Sequence, residues 1–376
     1  MKKILIVGGG MGGTILANNL ARRLRKEIDD GEVKLTMLSA SDRHMYQPGL
    51  LYVAFGKMMP EELYRDQASL LEPGIDFHVD PVASFNLGES RVRTESDREY
   101  DYDYVAVATG SQAKPENVPG LMENCHHVYT EEAALKTWEA LSNFEGGKVA
   151  VVTGVPHKCP MVPLEITFMM HDYFADRGIL DKVDITYTYP IGRLHSLVNV
   201  GKWAQKEFDR MGINYETLFN AKEVDGKQVH SEEGSTVDYD LLIGIPPHKG
   251  MDVIEDNELG TSGWLPTDRA TLNIEGHDNA FVLGDTTNLP ISKAGSTAHY
   301  EAEVLGENIA AQVKYGRRVR DYDGKVFCFI EAGKDRATFA SFNYTTPPDP
   351  QPPTETVHWF KLAYNRLYWN SVRGLL

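Results

Sequence analysis

Cysteine is scarce in this chain: of 376 residues only Cys125, Cys159 and Cys328 are cysteines, far apart and without CxxC spacing. A zinc module is thereby excluded, and His157 near Cys159 does not change this, since two ligands do not make a site. No bound metal is expected. Basic charge is also in deficit, with 38 Lys and Arg against 54 Asp and Glu and a formal net charge of -16. A chain-wide affinity for nucleic acid or an anionic membrane face is ruled out, which leaves room only for local basic patches. Long apolar runs are missing too: nothing approaches the ~20 residues of a spanning helix, so membrane contact would be peripheral. The N-terminus, MKKILIVGGG, enters a strand and glycine loop directly, without an apolar leader region or small-residue cleavage site. These absences read as a cytoplasmic protein, in whose reducing surroundings a disulfide would be catalytic rather than structural.

What is present begins at once. The length suits two compact units, each with enough apolar residues for a core. Residues 3–7 (KILIV) form a buried-strand pattern, followed by GGGMGG and then TILANNLARRL with helical periodicity. Gly8, Gly10 and Gly13 fit G-x-G-x-x-G in the strand, loop and helix setting where backbone amides hold a pyrophosphate. A tight turn without ligand is the plain alternative. The next strand, KLTMLS (34–39), should close on an acidic residue for the ribose hydroxyls, but Ser39 stands there and offers a single hydrogen bond. Two later segments, YDYVAVATGS (102–111) with Thr109 and Gly110, and NAFVLGDTTNLP (279–290) with Asp285, read as buried strands ending in turns. They resemble the ATG turn and the Gly-Asp strand of two-dinucleotide-domain flavoproteins, and that resemblance implies FAD, with Asp285 at its ribityl and phosphate region.

Such flavoproteins carry a second glycine loop for a reduced nicotinamide. Here KVAVVTG (148–154) supplies the strand, but VPHKCPMVP follows, with Gly154 alone and prolines at 156, 160 and 163 that remove amide donors. NADH is therefore not the expected electron donor. In that place stands Cys159. Next to a helix N-terminus, with His157 and Lys158 adjacent, it is expected to favour the thiolate, a redox nucleophile; a buried inert cysteine is the alternative.

At this point the chain resembles the sulfide:quinone oxidoreductase and flavocytochrome c sulfide dehydrogenase group. The likeness rests on GGGMGG, DRHMYQPGLLYVAFG (42–56), VAVATGS, GVPHKCP with Glu165, the Gly-Asp strand, PISKAGSTAHYEAEV (290–304), KVFCFIEAG (325–333) and the aromatic C-terminus. It is closer to the quinone-reducing branch, because no cysteine near YQPGLLY is there to tether FAD, so FAD is expected to be non-covalent. The resemblance implies that Cys159 and Cys328 form the redox relay, with Cys328 facing the flavin and Glu165 as a proton-shuttling carboxylate; an ordinary first-turn helix residue is the alternative for Glu165. Cys125 is displaced in register, with Tyr129 nearer the family's third cysteine, and the family's histidine falls on Arg193 rather than His195. Lys293 would stabilise the charge of the reduced flavin or simply lie on the surface.

After the proline-rich TTPPDPQPPTE (345–355), residues 356–376 carry three basic residues and no acidic one. Trp359, Phe360, Ala363 and Leu367 fall on one side of a helix with Lys361 and Asn365 opposite, which suits a membrane interface or, alternatively, packing on the body or a second subunit. The expected fold is an α/β protein of two Rossmann-like units: residues 1–112 and 246–314 for FAD, 113–245 for the second unit with its redox cysteine, and 315–376 for the second cysteine and a membrane and quinone segment. By resemblance the substrates are sulfide and a membrane quinone, met at the cytoplasmic membrane. No nucleic-acid partner is expected, and a homo-oligomer is left open. A type II NADH:quinone oxidoreductase and a membrane-associated flavin redox sensor are the rival readings.

Overall fold

The computed structural model describes residues 1–375; Leu376, the end of the expected C-terminal segment, lies outside them. The strand Lys2–Val7 buries Ile4, Leu5, Ile6 and Val7 in succession, the pattern of a parallel strand covered on both faces. It is central in a five-stranded parallel sheet ordered Ala280–Val282, Tyr104–Val107, Lys2–Val7, Val33–Ser39, Ile75–Val79. The helix Met11–Arg23 follows the glycine loop, burying Ile15, Leu16 and Leu20 and placing Arg22 and Arg23 in its last turn, where cations complement the helix dipole. Against it lies the long helix Gly295–Tyr315, and small residues let the two approach: a Cβ on Gly306 would come within 3.1 Å of the Asn19 Cβ.

A second parallel sheet is ordered Asn214–Thr217, Val183–Tyr189, Gly147–Thr153, Leu241–Ile245, with the helix Val162–Asp176 packed on it and buried nearly all round, at Leu164, Ile166, Phe168 and Met170. The chain enters this region through Ser111–Ala113 and leaves through His248–Gly250, and these two short strands pair antiparallel. Two Rossmann-like units in an α/β chain are thus observed.

The C-terminal region adds an antiparallel hairpin, Val326–Glu331 with Ala337–Phe342, in which Cys328 pairs with Ala340. Two helices follow, Glu355–Arg366 and Tyr368–Val372. Thr354 caps the first by accepting from the Val357 amide at 3.2 Å. The second is fastened across the first sheet's helix layer: Asn18 donates to the Val372 carbonyl at 3.1 Å, and the buried His44 shares a hydrogen bond of 2.8 Å with the Tyr368 hydroxyl. Among the described residues no helix is long and apolar enough to cross a membrane.

Candidate active site

Parallel strands deliver their loops to one sheet edge, and here the carboxyl ends of Lys2–Val7, Val33–Ser39, Tyr104–Val107 and Ala280–Val282 bring Gly8, Ser39, Thr109 and Asp285 to the same crevice. Gly8 takes φ +119°, and a Cβ there would stand 2.2 Å from the Ala108 carbonyl oxygen; one on Gly13 would stand 2.0 Å from the Gly8 carbonyl oxygen. Both glycines are forced by close packing. Gly10 differs, since a Cβ there would meet nothing within 4 Å, and the same is true of Gly110 at φ +82°. These two open positions flank a cradle onto which the free amides of the helix Met11–Arg23 point, and a dinucleotide's pyrophosphate fits it. Ser39 is buried against the loop, its Oγ accepting from the Ser41 amide at 3.2 Å while its own proton stays available.

The Thr109–Gly110 turn is clamped to the Gly-Asp segment. The Gly110 amide donates to the Thr286 hydroxyl at 2.7 Å, Thr109 and Thr286 hydroxyls meet at 3.4 Å, and Ser111 donates to Asp285 at 2.9 Å. Beneath the turn, Glu301 accepts from the Gly284 amide at 2.6 Å, and burial pushes its carboxyl up to about 8. Lys293 lies two residues before its helix begins and is half-buried. Its ammonium donates to the Thr287 carbonyl at 2.5 Å and sits 4.3 Å from the Trp264 ring centre, and desolvation draws its pKa below the usual lysine range. A cavity of about 330 Å³ opens beside it, lined in part by Pro156, His248, Trp264 and Asn288.

The cysteine loop reaches this place from the second unit. The Cys159 amide donates to the Lys293 carbonyl at 2.8 Å, its own carbonyl accepts the Val162 amide of the following helix at 3.0 Å, and its φ is +49°. Cys328 arrives from the hairpin, on the strand whose Glu331 amide donates to Glu165 at 3.0 Å; burial raises both thiols, and the Glu165 carboxylate adds to it. Both are free thiols. Cys125 belongs to a different cluster, packed with Val118, Leu121 and Phe219, where burial pushes its thiol up to about 12. Burial pushes the Tyr129 hydroxyl well above the usual tyrosine range, and it has no hydrogen-bond partner among the described residues. His195 is fully buried behind the loop, with a neutral ring that accepts the Leu197 amide at 2.9 Å.

Two expectations need correction. Burial pushes Cys159 up to about 11, so the thiolate is not favoured. The Met161 and Val162 amides do pull the other way, but desolvation and the Glu165 carboxylate outweigh them. Neither neighbour supplies charge: desolvation lowers His157 to about 4, leaving it neutral, and Lys158 turns to Gln47 at 2.8 Å and Asp285 at 3.9 Å. The second correction concerns Lys361. It does not share a polar outer face but is buried, in an ion pair with Glu165 and 3.6 Å from Glu331. His358, one turn earlier, holds Glu331 at 3.0 Å; Tyr52 reaches Glu331 at 3.4 Å and accepts from Asn365 at 2.9 Å. Neither Glu331, although it lies within KVFCFIEAG, nor His358, although the i, i+3 spacing of His358 and Lys361 places both on one helix face, stood out in the sequence. Trp359, Phe360, Ala363 and Leu367 do stay exposed, the first two at 65% and 62%.

Known proteins share this architecture. Mitochondrial sulfide:quinone oxidoreductase of Mus musculus is 28% identical over 361 residues, covering 92% of this chain and 79% of that protein. The mitochondrial sulfide:quinone oxidoreductase of Dictyostelium discoideum is 29% identical, over 91% of this chain and 78% of its own length. The X-ray structure of the Aquifex aeolicus sulfide:quinone oxidoreductase superposes with a TM-score of 0.86 at 21% identity, covering 99% of this chain and 92% of that one. The likeness expected from the motifs therefore extends along most of the sequence. Residues 2–302, which supply the glycine cradle, the clamped turn and the Cys159 loop, match the family model described as pyridine nucleotide-disulphide oxidoreductase, and to that family the chain belongs.

Proposed function

We propose that this protein is a flavin-dependent sulfide:quinone oxidoreductase. The observation that carries the reading is the Cys159 loop, bonded to the Lys293 carbonyl at 2.8 Å where a second dinucleotide loop would otherwise stand, with the strand of Cys328 bonded to Glu165 through the Glu331 amide at 3.0 Å. Gly8, Gly10 and Gly13 would hold the pyrophosphate of non-covalent FAD, Ser39 its ribose, and Thr109, Gly110 and Asp285 the remainder, with Lys293 as the positive charge at its far end. Bound FAD supplies a two-electron acceptor that can pass the pair to quinone. The chain divides in function as in sequence: 1–112 with 246–314 for the cofactor, 113–245 for the first redox cysteine, and 315–376 for the second cysteine and the membrane.

Sulfide enters as HS⁻ and attacks a Cys159–Cys328 disulfide. A sulfur–sulfur bond forms to one cysteine as the protein's own breaks, the other cysteine leaves as thiolate, and sulfide has given up two electrons. Because burial raises both thiols, the released thiolate is held at a cost and is a strong electron donor. Glu165, in the first turn of the helix after the Cys159 loop, is the carboxylate that serves this step. The exposed Trp359, Phe360 and Leu367 are suited to lie in a membrane interface from which quinone enters.

The test is a visible spectrum of the purified protein under anaerobic conditions. Sulfide should bleach the flavin bands and NADH should not, and denaturation should release the flavin from the chain. Rapid bleaching by NADH would favour a type II NADH:quinone oxidoreductase, and flavin that stays on the denatured chain would refute non-covalent binding.

A further inference from the structure

The buried charges around Lys361 form a continuous line from the cysteine pair to solvent. Glu165 stands in the first turn of the helix Val162–Asp176, directly after the Cys159 loop, and pairs with Lys361, while its Oε1 also accepts at 3.0 Å from the amide of Glu331, which shares a strand with Cys328. Lys361 lies 3.6 Å from Glu331 Oε1; the other oxygen of Glu331 is 3.0 Å from His358 Nδ1; and His358 Nε2 is 3.7 Å from Asp335, whose side chain is 79% exposed. Tyr52 is a further titratable neighbour, at 3.4 Å from Glu331; Tyr46 and Cys328 also lie within reach of the Lys361 charge. Glu165, Glu331, His358 and Lys361 are all buried. Two carboxylates and one ammonium leave this buried group one positive charge short. A further proton neutralises it, and the acceptors for that proton are Glu165 at the inner end and His358 at the outer end.

We propose that Glu165, Lys361, Glu331 and His358 are a proton relay, which takes the proton left on the persulfide when HS⁻ has attacked the disulfide and delivers it to solvent beside Asp335. The inference rests on the sulfide reading above. The transfer balances: the persulfide S–H gives its proton to Glu165, Lys361 takes it up while passing one of its own to Glu331, Glu331 protonates His358, and His358 releases a proton to water. No electrons move along the line. Glu165 is the catalytic member, which takes the proton from the reacting sulfur, and the other three are positioning residues that act through it. The C-terminal helix thereby takes part in the sulfide half-reaction as well as in membrane contact.

Two measurements on the flavin-loaded full chain test this. The first needs no sulfide: the infrared carboxylic-acid band that disappears in Glu165→Gln is titrated in wild type and in His358→Gln. A shared proton has nowhere else to go once His358 is lost, so the band should persist to a pH about one unit higher. Equal titration in both proteins overturns the relay whatever sulfide does. The second is stopped-flow bleaching by sulfide, where His358→Ala should be slowed about tenfold or more and restored by added imidazole, the signature of lost proton transfer. Slowing that imidazole does not relieve, at any pH, assigns His358 a structural role and overturns the relay. Absence of bleaching in wild type refutes the sulfide reading itself, and with it the use of the relay, even if the infrared coupling is present.

Discussion

Replacing Lys361 with Met removes one buried charge and leaves two buried carboxylates facing each other. Both partners of the ion pair are more than nine-tenths buried at the side chain, 9% and 8% exposed, so solvent cannot screen the remainder. Breaking such a pair costs about 3–5 kcal/mol, and Met, similar in length and apolar, keeps the packing term small. The loss depends on pH. Burial already raises the Glu165 carboxyl in the folded chain above its ordinary value of 4.5, and Lys361 opposes this most, ahead of the Glu331 amide. Without it, the folded carboxyl holds its proton to higher pH still, whereas the unfolded one releases it near 4.5. Folded chains then bind more protons than unfolded ones across that interval, so stability falls as pH rises through it. Lys361→Met should therefore be close to wild type near pH 5 and weaker by about 3–5 kcal/mol near pH 8. Urea midpoints at the two pH values read this, and Glu165→Gln in the same chain should recover much of the loss. A Lys361→Met protein whose midpoint matches wild type at pH 8 would refute the reasoning, as would a loss of equal size at both pH values.

The remaining predictions concern the sulfurs and the exposed helix face. Cys159→Ser and Cys328→Ser should each abolish sulfide-driven bleaching while flavin stays bound, because a disulfide needs both sulfurs, and Cys125→Ser should keep most of the activity; an inactive Cys125→Ser protein would put Cys125 in the relay. Trp359→Ser with Phe360→Ser and Leu367→Ser should release the protein from lipid vesicles and lower turnover with a long-tailed quinone, leaving bleaching by sulfide unchanged, since their burial is worth several kcal/mol at ~25 cal/mol per Å². Unchanged pelleting with vesicles would show that this face meets something other than lipid. Substitution is preferable to deleting the segment, because deletion would also strip Lys361 from Glu165 and Tyr368 from His44.

Much of the fold was legible because its signals are local. A run such as KILIV followed by glycines states strand and turn within a few residues, and Gly8 and Gly13 are dictated by backbone contacts that only glycine permits. The order of the Gly-Asp and ATG segments located the cofactor crevice for the same reason. What stayed hidden is set by burial and by distant partners. Cys159 has the neighbours of a reactive thiolate in sequence, yet the tertiary structure turns Lys158 to Asp285 and desolvates the sulfur. Lys361 looked like a headgroup-facing lysine on a helical wheel, and only the placement of Glu165, 196 positions earlier, explains its burial. Helical periodicity names the faces of a helix without saying which of them is covered, and here the polar face goes inside.

The fastening of the last helix across the first has a consequence for how the protein is made. The bond from Asn18 to the Val372 carbonyl joins positions 354 apart, and Lys361 reaches Glu165 only when the same segment docks. At ~5–20 residues per second of synthesis, the first glycine loop has left the ribosome many seconds before its final partner exists. During that interval the carboxylates of Glu165 and Glu331 have no lysine between them, and they remain hydrated or protonated in an open crevice. The cysteine site is therefore completed only when the end of the chain has been made, long after the glycine loop.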